Sequence, residues 1–218
     1  MNKILNSLIL FNIILIAYAI STLEGNIVPI HYNAIGTADA WGNKWILLTA
    51  SFIPLIISII FYFYKKAPRN MSSKTNEKYE NLFILGVIIF FIIISWINVI
   101  PLYSQNPNEN KNLIYYISIA LAFLIIDTSI LMPKIEQNKS LGIRTPWTLK
   151  DNVLWAKTNK LAGIVGQTCG YIIIVNSLIA LNLKFKSLCI YTLIITAISF
   201  IFIPLIYSYV LYKKNLQE

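Results

Sequence analysis

Six stretches of the chain are nearly free of charged side chains, and each is long enough to cross the ~30 Å hydrocarbon core of a bilayer as an α-helix. They cover about residues 4–23, 45–64, 82–103, 113–132, 161–181 and 188–212. Only 12% of the residues are charged and 57% are hydrophobic, too little charge to cover a water-soluble domain. The sequence predicts an all-α integral membrane protein, one membrane domain over residues 1–218 built as a bundle of six transmembrane helices.

The basic residues are distributed unevenly between the two sides of this predicted bundle. The N-terminus, the tail and the connections 65–81 and 133–160 hold fourteen of the eighteen Lys and Arg residues. Because positive residues accumulate on the cytoplasmic side, both termini are predicted to be cytoplasmic. The net charge of +9 therefore needs no direct nucleic-acid partner, since the charges lie at the ends of the spans and not on one folded face.

The first span has two interpretations. Its basic start, its apolar middle and the pattern Ala17-x-Ala19 are features of a cleavable signal peptide. If it is retained, which is the interpretation we favour, it forms the first transmembrane helix. The predicted orientation of the other five spans is the same in both cases.

Two polar side chains lie well inside the predicted spans. Asp127 in span four and Gln167 in span five are each about six residues from the cytoplasmic end, which corresponds to a depth of ~9 Å. An isolated charge at such a place costs about 2.5–3.5 kcal/mol on insertion scales. The two residues therefore predict either a hydrogen-bonded clamp between helices, which we favour, or a ligand or proton site.

Span five also contains the motif Gly166-x-x-x-Gly170. Small residues four apart let two helices approach closely. The partner helix is either another span of the same chain, which we favour, or the same span in a homodimer.

The connection 24–44, predicted to lie outside the cell, is rich in glycine and aromatic residues. His31, Tyr32, Asn33 and Asp39 form a compact polar set within it. His31 and Asp39 alone are too few ligands for a metal site, and the motifs of serine hydrolases and zinc proteases are missing from the sequence. We therefore expect an ordered loop that contacts an external ligand, and neither an enzyme nor a cofactor.

The longest cytoplasmic connection is predicted to be residues 133–160. Gly142 and Pro146 predict a turn, and Thr148 is expected to cap a short helix that continues into span five, with Asp151 in the capping-box position. A plain basic loop with interfacial tryptophans would explain the charges. It would not explain the compact order Gly-x-Arg-Thr-Pro-Trp-Thr, which favours a structured or recognition role.

Two segments carry a resemblance to known proteins. "LGIRTPWTLKDNVLWAKTNKLAG", residues 141–163, closely resembles the signature of the SdpI family of bacterial membrane proteins. "PIHYNAIGTADAWGNK", residues 29–44, resembles the loop of the DUF1648 region found near the N-terminus of such proteins. The resemblance divides the chain into a DUF1648-like region, 1–64, with its outer loop 24–44, and an SdpI-like region, 113–212, with its cytoplasmic loop 133–160.

The resemblance implies an immunity protein of the bacterial plasma membrane, which binds a secreted SDP-like killing peptide at the bilayer. It also implies a signalling arm, in which a small cytoplasmic transcriptional repressor is held at the membrane. The residues expected to contact the toxin are Pro29, His31, Asn33, Gly36, Asp39 and Lys44. Those expected to form the cytoplasmic motif and to dock the repressor are Gly142, Arg144, Thr145, Pro146, Trp147, Thr148, Lys150, Trp155 and Lys157. The competing hypothesis is a small transporter or exporter that uses Asp127.

Overall fold

The computed structural model describes residues 3–33, 36–66, 74–104 and 106–216. Six long helices account for most of the chain. They are α1 Lys3–Thr22, α2 Leu48–Lys66, α3 Lys74–Val99, α4 Leu113–Leu131, α5 Asn152–Leu183 and α6 Lys186–Asn215. Each belongs to a segment long and apolar enough to cross a membrane. The predicted all-α multi-pass membrane fold is confirmed.

Successive spanning helices run in opposite directions, so their connections alternate between two ends of the bundle. The hairpin end is formed by the described residues of 23–47, 100–112 and 184–185. The terminal end is formed by residues 132–151 together with the starts of α1, α3 and α5 and the ends of α2 and α6. These are the two sides that the basic residues distinguish, and the terminal end is the basic one.

The helices pack as two groups of three. In the first group α1, α2 and α3 contact one another, and in the second α4, α5 and α6 do so, while α3 against α4 joins the groups. Glycines on α5 let α4 approach closely, since an ideal Cβ on Gly166 would lie 1.9 Å from the Ser129 Oγ, and one on Gly170 would lie 2.4 Å from Ile126 Cγ1. The Gly-x-x-x-Gly motif therefore serves packing within the chain.

The connection between α1 and α2 folds into an antiparallel hairpin of two short strands, β1 Ile27–Tyr32 and β2 Ala38–Asn43. A 3-10 turn, Lys44–Leu47, leads from it into α2. Val28 of the hairpin packs in one buried apolar cluster with Ile20 of α1 and Val99 of α3. The sequence predicted order in this loop but not strands.

The N-cap of α5 differs from the sequence prediction, whereas its course agrees with it. The helix begins at Asn152 and runs without interruption to Leu183, so the expected helix does continue into span five. Its N-cap is Asp151, whose Oδ1 accepts from the backbone N–H groups of Val153 at 2.7 Å and Leu154 at 3.0 Å. The prediction that Thr148 caps the helix was wrong.

Candidate functional site

At the hairpin end, the hairpin is joined to the connection between α3 and α4. The Ala38 N–H donates to the Asn108 carbonyl at 2.9 Å, and the Asn110 N–H donates to the Gly36 carbonyl at 2.7 Å. The Tyr32 hydroxyl donates to the Pro107 carbonyl at 2.7 Å. Burial raises the pKa of the Tyr32 phenol, which keeps this donor protonated. We call the described residues of 27–43 and 106–110 the cap.

Gly36 packs directly against the second part of the cap. Its φ of +80° is a conformation that residues with a side chain rarely adopt, and an ideal Cβ there would lie 2.1 Å from the Asn110 carbonyl oxygen. The Asn33 Oδ1 accepts from the Thr37 N–H at 3.0 Å across the same turn. Gly36 and Asn33, both expected to contact a ligand, therefore shape the cap.

Lys44 holds the cap to α1. Its side chain is buried, and Nζ donates to the Leu23 carbonyl at 2.7 Å and lies 3.5 Å from the Ser21 carbonyl. These carbonyls are at the C-terminal end of α1, the negative end of its dipole, where a cation is favoured by about 0.3–2 kcal/mol. The expected contact of Lys44 with a ligand does not fit this geometry. Pro29 is buried as well.

His31 and Asp39 are the members of the predicted set that face outward. The His31 Nδ1 lies 2.5 Å from the Asp39 Oδ1, and the two side chains are 67% and 44% exposed. They sit on opposite strands of the hairpin. The exposed indole of Trp41 is two residues after Asp39 on β2, and its Nε1 donates to the Asn108 Oδ1 at 3.2 Å. An aromatic ring and a hydrogen-bonded His–Asp pair on one hairpin can recognise a peptide by stacking and by hydrogen bonds.

At the terminal end, the motif of residues 142–148 folds around a buried hydroxyl. The Thr148 side chain is fully buried, and its Oγ1 donates to the Ile143 carbonyl at 2.9 Å and accepts from the Thr145 N–H at 2.8 Å. Thr145 is buried too. Both threonines thus hold the turn together and are turned away from a docking partner.

Gly142 packs directly against the ring of Trp155. Gly142 has a φ of +107°, and an ideal Cβ would lie 2.8 Å from the Trp155 ring. The indole is 2% exposed, and its Nε1 donates to the Ile135 carbonyl at 2.8 Å. Trp155 is therefore a core residue of this connection, which corrects its expected role as a docking residue.

Three polar residues that the sequence analysis did not select anchor the same connection. Asn76 on α3 donates to the Glu136 carbonyl at 3.0 Å and accepts from the Glu136 N–H at 2.9 Å. The Asn138 Oδ1 accepts from the N–H groups of Ser140 and Leu141. Glu80, which is 2% exposed, accepts from the Ser140 hydroxyl at 2.8 Å. Asn138 ends the segment "MPKIEQN", residues 132–138, which precedes the motif. The position of this polar residue directly before the motif is the feature of the sequence that could have identified it.

The exposed part of the predicted docking set is smaller than expected. Arg144, Pro146, Lys150 and Lys157 are exposed. Trp147 is half-buried, and its Nε1 donates to the Ser208 Oγ of α6 at 3.0 Å. The Arg144 guanidinium donates to the Lys139 carbonyl. What remains is a basic surface that is attached to α6 through Trp147.

Asp127 and Gln167 do not form the expected clamp between α4 and α5. The Gln167 Nε2 donates to the Gly163 carbonyl of its own helix at 3.1 Å. Asp127 faces α3, where an ideal Cβ on Gly86 would lie 2.2 Å from its Oδ2. That oxygen is buried and has no hydrogen-bond partner among the described residues. Within the same described residues, no group of three His, Cys, Asp or Glu side chains could hold a metal ion.

The terminal-end connection and most of the two helices after it match a family of known proteins. Residues 134–208 match the model of the SdpI/YfhL protein family. We call residues 134–208 the family region, with reference to this match alone. They contain the turn around Thr148, all of α5, and α6 as far as Ser208, the residue that accepts the Trp147 hydrogen bond. The hydrogen bonds given above for this turn thus lie within the family region, whereas the ring contacts of Trp147 with Tyr209 and Tyr212 lie just beyond it.

The chain is also similar to a curated protein from Bacillus subtilis (strain 168), named Immunity protein SdpI. The two are 31% identical over 136 residues, which spans 60% of this chain and 60% of that protein. No solved structure matches. The chain therefore spans less than two thirds of that protein's length, and its described residues include six helices long and apolar enough to cross a bilayer, as in a multi-pass membrane protein.

Proposed function

We propose that this protein protects a bacterial cell from a secreted SDP-like killing peptide. The observation that carries the proposal is the similarity of 136 residues to Immunity protein SdpI. The terminal end holds most of the basic residues, so the positive-inside rule places it in the cytoplasm and the cap outside. The cap is then the part of the chain that a secreted peptide meets first.

In this proposal, protection is stoichiometric and the cap binds the peptide. The exposed His31–Asp39 pair and the exposed Trp41 ring supply polar and aromatic contacts on one hairpin. Gly36 and Lys44 hold the hairpin against Asn110 and α1, so little loop ordering is needed on binding. A peptide bound there is kept from forming a conducting defect in the membrane.

The test is survival of a toxin-sensitive Gram-positive host that expresses the chain and is exposed to SDP-like peptide. We expect wild type to protect and His31→Ala to need about tenfold more protein for equal protection, the factor for about 1.4 kcal/mol of lost binding. Lys111→Ala is the matched control, since Lys111 is exposed at the same end and paired with Glu109 at 2.9 Å.

Membrane levels of all three proteins are compared first. No protection by wild type at a normal level would contradict the immunity proposal. Full protection by His31→Ala would contradict the cap as the binding surface and leave immunity itself standing. Equal loss in both variants would point to damage of the hairpin end as a whole.

We further propose that the terminal end docks a small cytoplasmic repressor when the peptide is bound. Arg144 and Lys157 are exposed there, and a basic surface suits an acidic partner. Co-purification of a candidate repressor with wild type but not with Arg144→Glu, in membranes exposed to the peptide, is the expected result. Equal co-purification with both would contradict this surface.

The second candidate function is a small transporter, which one observation favours. The buried Asp127 Oδ2 lacks a hydrogen-bond partner among the described residues, and an intramembrane carboxylate often marks an ion path. The variant Asp127→Asn discriminates between transport and immunity by binding. Transport driven by a titrating carboxylate is lost in this variant, whereas immunity by binding survives. Intact immunity in Asp127→Asn is the result we expect.

A further inference from the structure

A cleft of about 260 Å³ opens at the terminal end, between residues 142–151, which we call the family turn, and the last residues of α6. Trp147 and Lys150 line it on one side, and Tyr212 and Asn215 line it on the other. None of these residues belongs to the cap. The cleft lies where α6 ends, and we expect the end of a spanning helix to lie near the membrane surface.

The aromatic wall of the cleft is held in a fixed position. The Trp147 ring stacks on Tyr212, with 5.6 Å between centroids and 19° between planes, and meets Tyr209 edge-on at 5.6 Å. The hydrogen bond from Nε1 to Ser208 fixes the indole further. Rings of Trp and Tyr at this level of a membrane protein contact the glycerol and headgroup region of lipids.

The lining of the cleft holds one lysine and one carboxylate, Lys150 and Asp151, and it is the excess of basic residues around it at the terminal end that favours an anion. Lys150 is exposed, and no carboxylate of the described residues lies within ion-pair distance of its Nζ. Asp151 also lines the cleft, but its Oδ1 accepts two backbone N–H groups and its Oδ2 lies 3.4 Å from the Asn215 Nδ2. Lys213, on the last turn of α6, lies over the Tyr209 ring and adds a second positive charge close to the aromatic wall.

We infer that this cleft binds the phosphate headgroup of an anionic phospholipid of the leaflet at the terminal end. Lys150 faces the phosphate, and the stacked Trp147 and Tyr212 contact the glycerol and the first methylenes. The exposed side chain of Leu216, also in the lining, extends the apolar edge toward the acyl chains. A soluble phosphate would use the lysine but gain nothing from these apolar surfaces, which is why we choose the lipid.

Bound lipid would also tie the family turn to α6, since the cleft has one wall from each. It would cover Trp147 and Lys150, so that Arg144 and Lys157 remain for a protein partner. The inference does not depend on the immunity proposal. It needs only the cleft and a membrane with anionic lipid.

The experiment measures thermal unfolding of the purified full chain in a neutral detergent. Dioleoylphosphatidylglycerol, dioleoylphosphatidylcholine or glycerol 3-phosphate is added in a concentration series, because a ligand of the native state raises Tm with its concentration. We expect the phosphatidylglycerol to raise Tm, and the other two to have little effect. Lys150→Gln should weaken the apparent affinity about fivefold, the factor for about 1 kcal/mol per basic residue near an anionic surface.

Lys157→Gln is the matched control, because Lys157 is an exposed lysine of the same end that is outside the cleft lining. It should leave the affinity for the phosphatidylglycerol unchanged. Lys150→Arg, which keeps the charge, should retain binding and shows that a loss in Lys150→Gln is not a folding defect. Equal weakening by Lys150→Gln and Lys157→Gln would overturn the site, and an equal effect of glycerol 3-phosphate would overturn the choice of a lipid.

Discussion

At the scale of single residues, the predicted site residues form two groups. Some make contacts inside the protein and stabilise the fold of one end, and others are exposed to a binding partner. Gly36, Lys44 and Thr148 make their contacts inside the protein. His31 and Lys150 are exposed. Substitutions in the two groups should therefore act differently, the first on stability and on every function of that end, the second on binding alone.

Gly36→Ala should lower the stability of the cap by about 1–3 kcal/mol, because the new methyl group meets the Asn110 carbonyl and the backbone stays at positive φ. The measurement is Tm in detergent together with protease cleavage of the cap. Gly25→Ala is the control, since Gly25 also has a positive φ, +72°, but nothing lies within 4 Å of its ideal Cβ. Equal effects of the two substitutions would show that the clash with Asn110 does not matter.

Lys44→Met should cost about 1–3 kcal/mol, since it keeps the length of the side chain but leaves the Leu23 carbonyl without its donor. The loss should appear as faster proteolysis between α1 and the hairpin and as a lower Tm. Lys111→Met, at an exposed position of the same end, should change neither. An unchanged Tm for Lys44→Met would contradict the role of Lys44 as the anchor of the cap.

At the scale of elements, the long helices were predictable from the sequence and the short strands were not. The six spans follow from apolar length alone, and their number and order are confirmed. The hairpin was not visible, because Ala38–Asn43 reads ADAWGN, which has little strand propensity. Its strands are stabilised by contacts from residues 106–110, which are distant in sequence.

The N-cap residue of α5 was predicted wrongly, because Thr148 and Asp151 both fit that position. Only the fold shows that the Thr148 hydroxyl already donates to the Ile143 carbonyl.

The attachment of the family turn to α6 gives a prediction at this scale. Trp147→Phe and Ser208→Ala each remove one partner of a 3.0 Å hydrogen bond. Each should lower stability by about 0.5–1.5 kcal/mol, and the double variant should cost less than their sum, since the two side chains interact directly. Thermal unfolding of the four proteins in one detergent measures this coupling. Strict additivity would contradict a contribution of the hydrogen bond.

At the scale of the whole molecule, the two ends differ in construction and in charge. The hairpin end is a cap made of strands and loop, and the terminal end is a basic turn packed on α3 and α6. The sequence located both segments because each carries a compact set of polar, Gly and aromatic residues between apolar spans. It could not tell which of those side chains face solvent, because Trp155 and Lys44 are buried by partners far away in the chain.

The positive-inside distribution predicts that the cap is outside the cell, and this can be measured in intact cells. Glu24→Cys at the hairpin end and Lys157→Cys at the terminal end each place a thiol at an exposed position, whereas the native Cys169 and Cys189 are buried. A membrane-impermeant maleimide should label Glu24→Cys in intact cells and Lys157→Cys only after the membrane is opened, with the parent chain giving the background. The reverse pattern would place the cap in the cytoplasm. A secreted peptide would then not meet His31 from outside, and the anionic lipid at the cleft would belong to the outer leaflet.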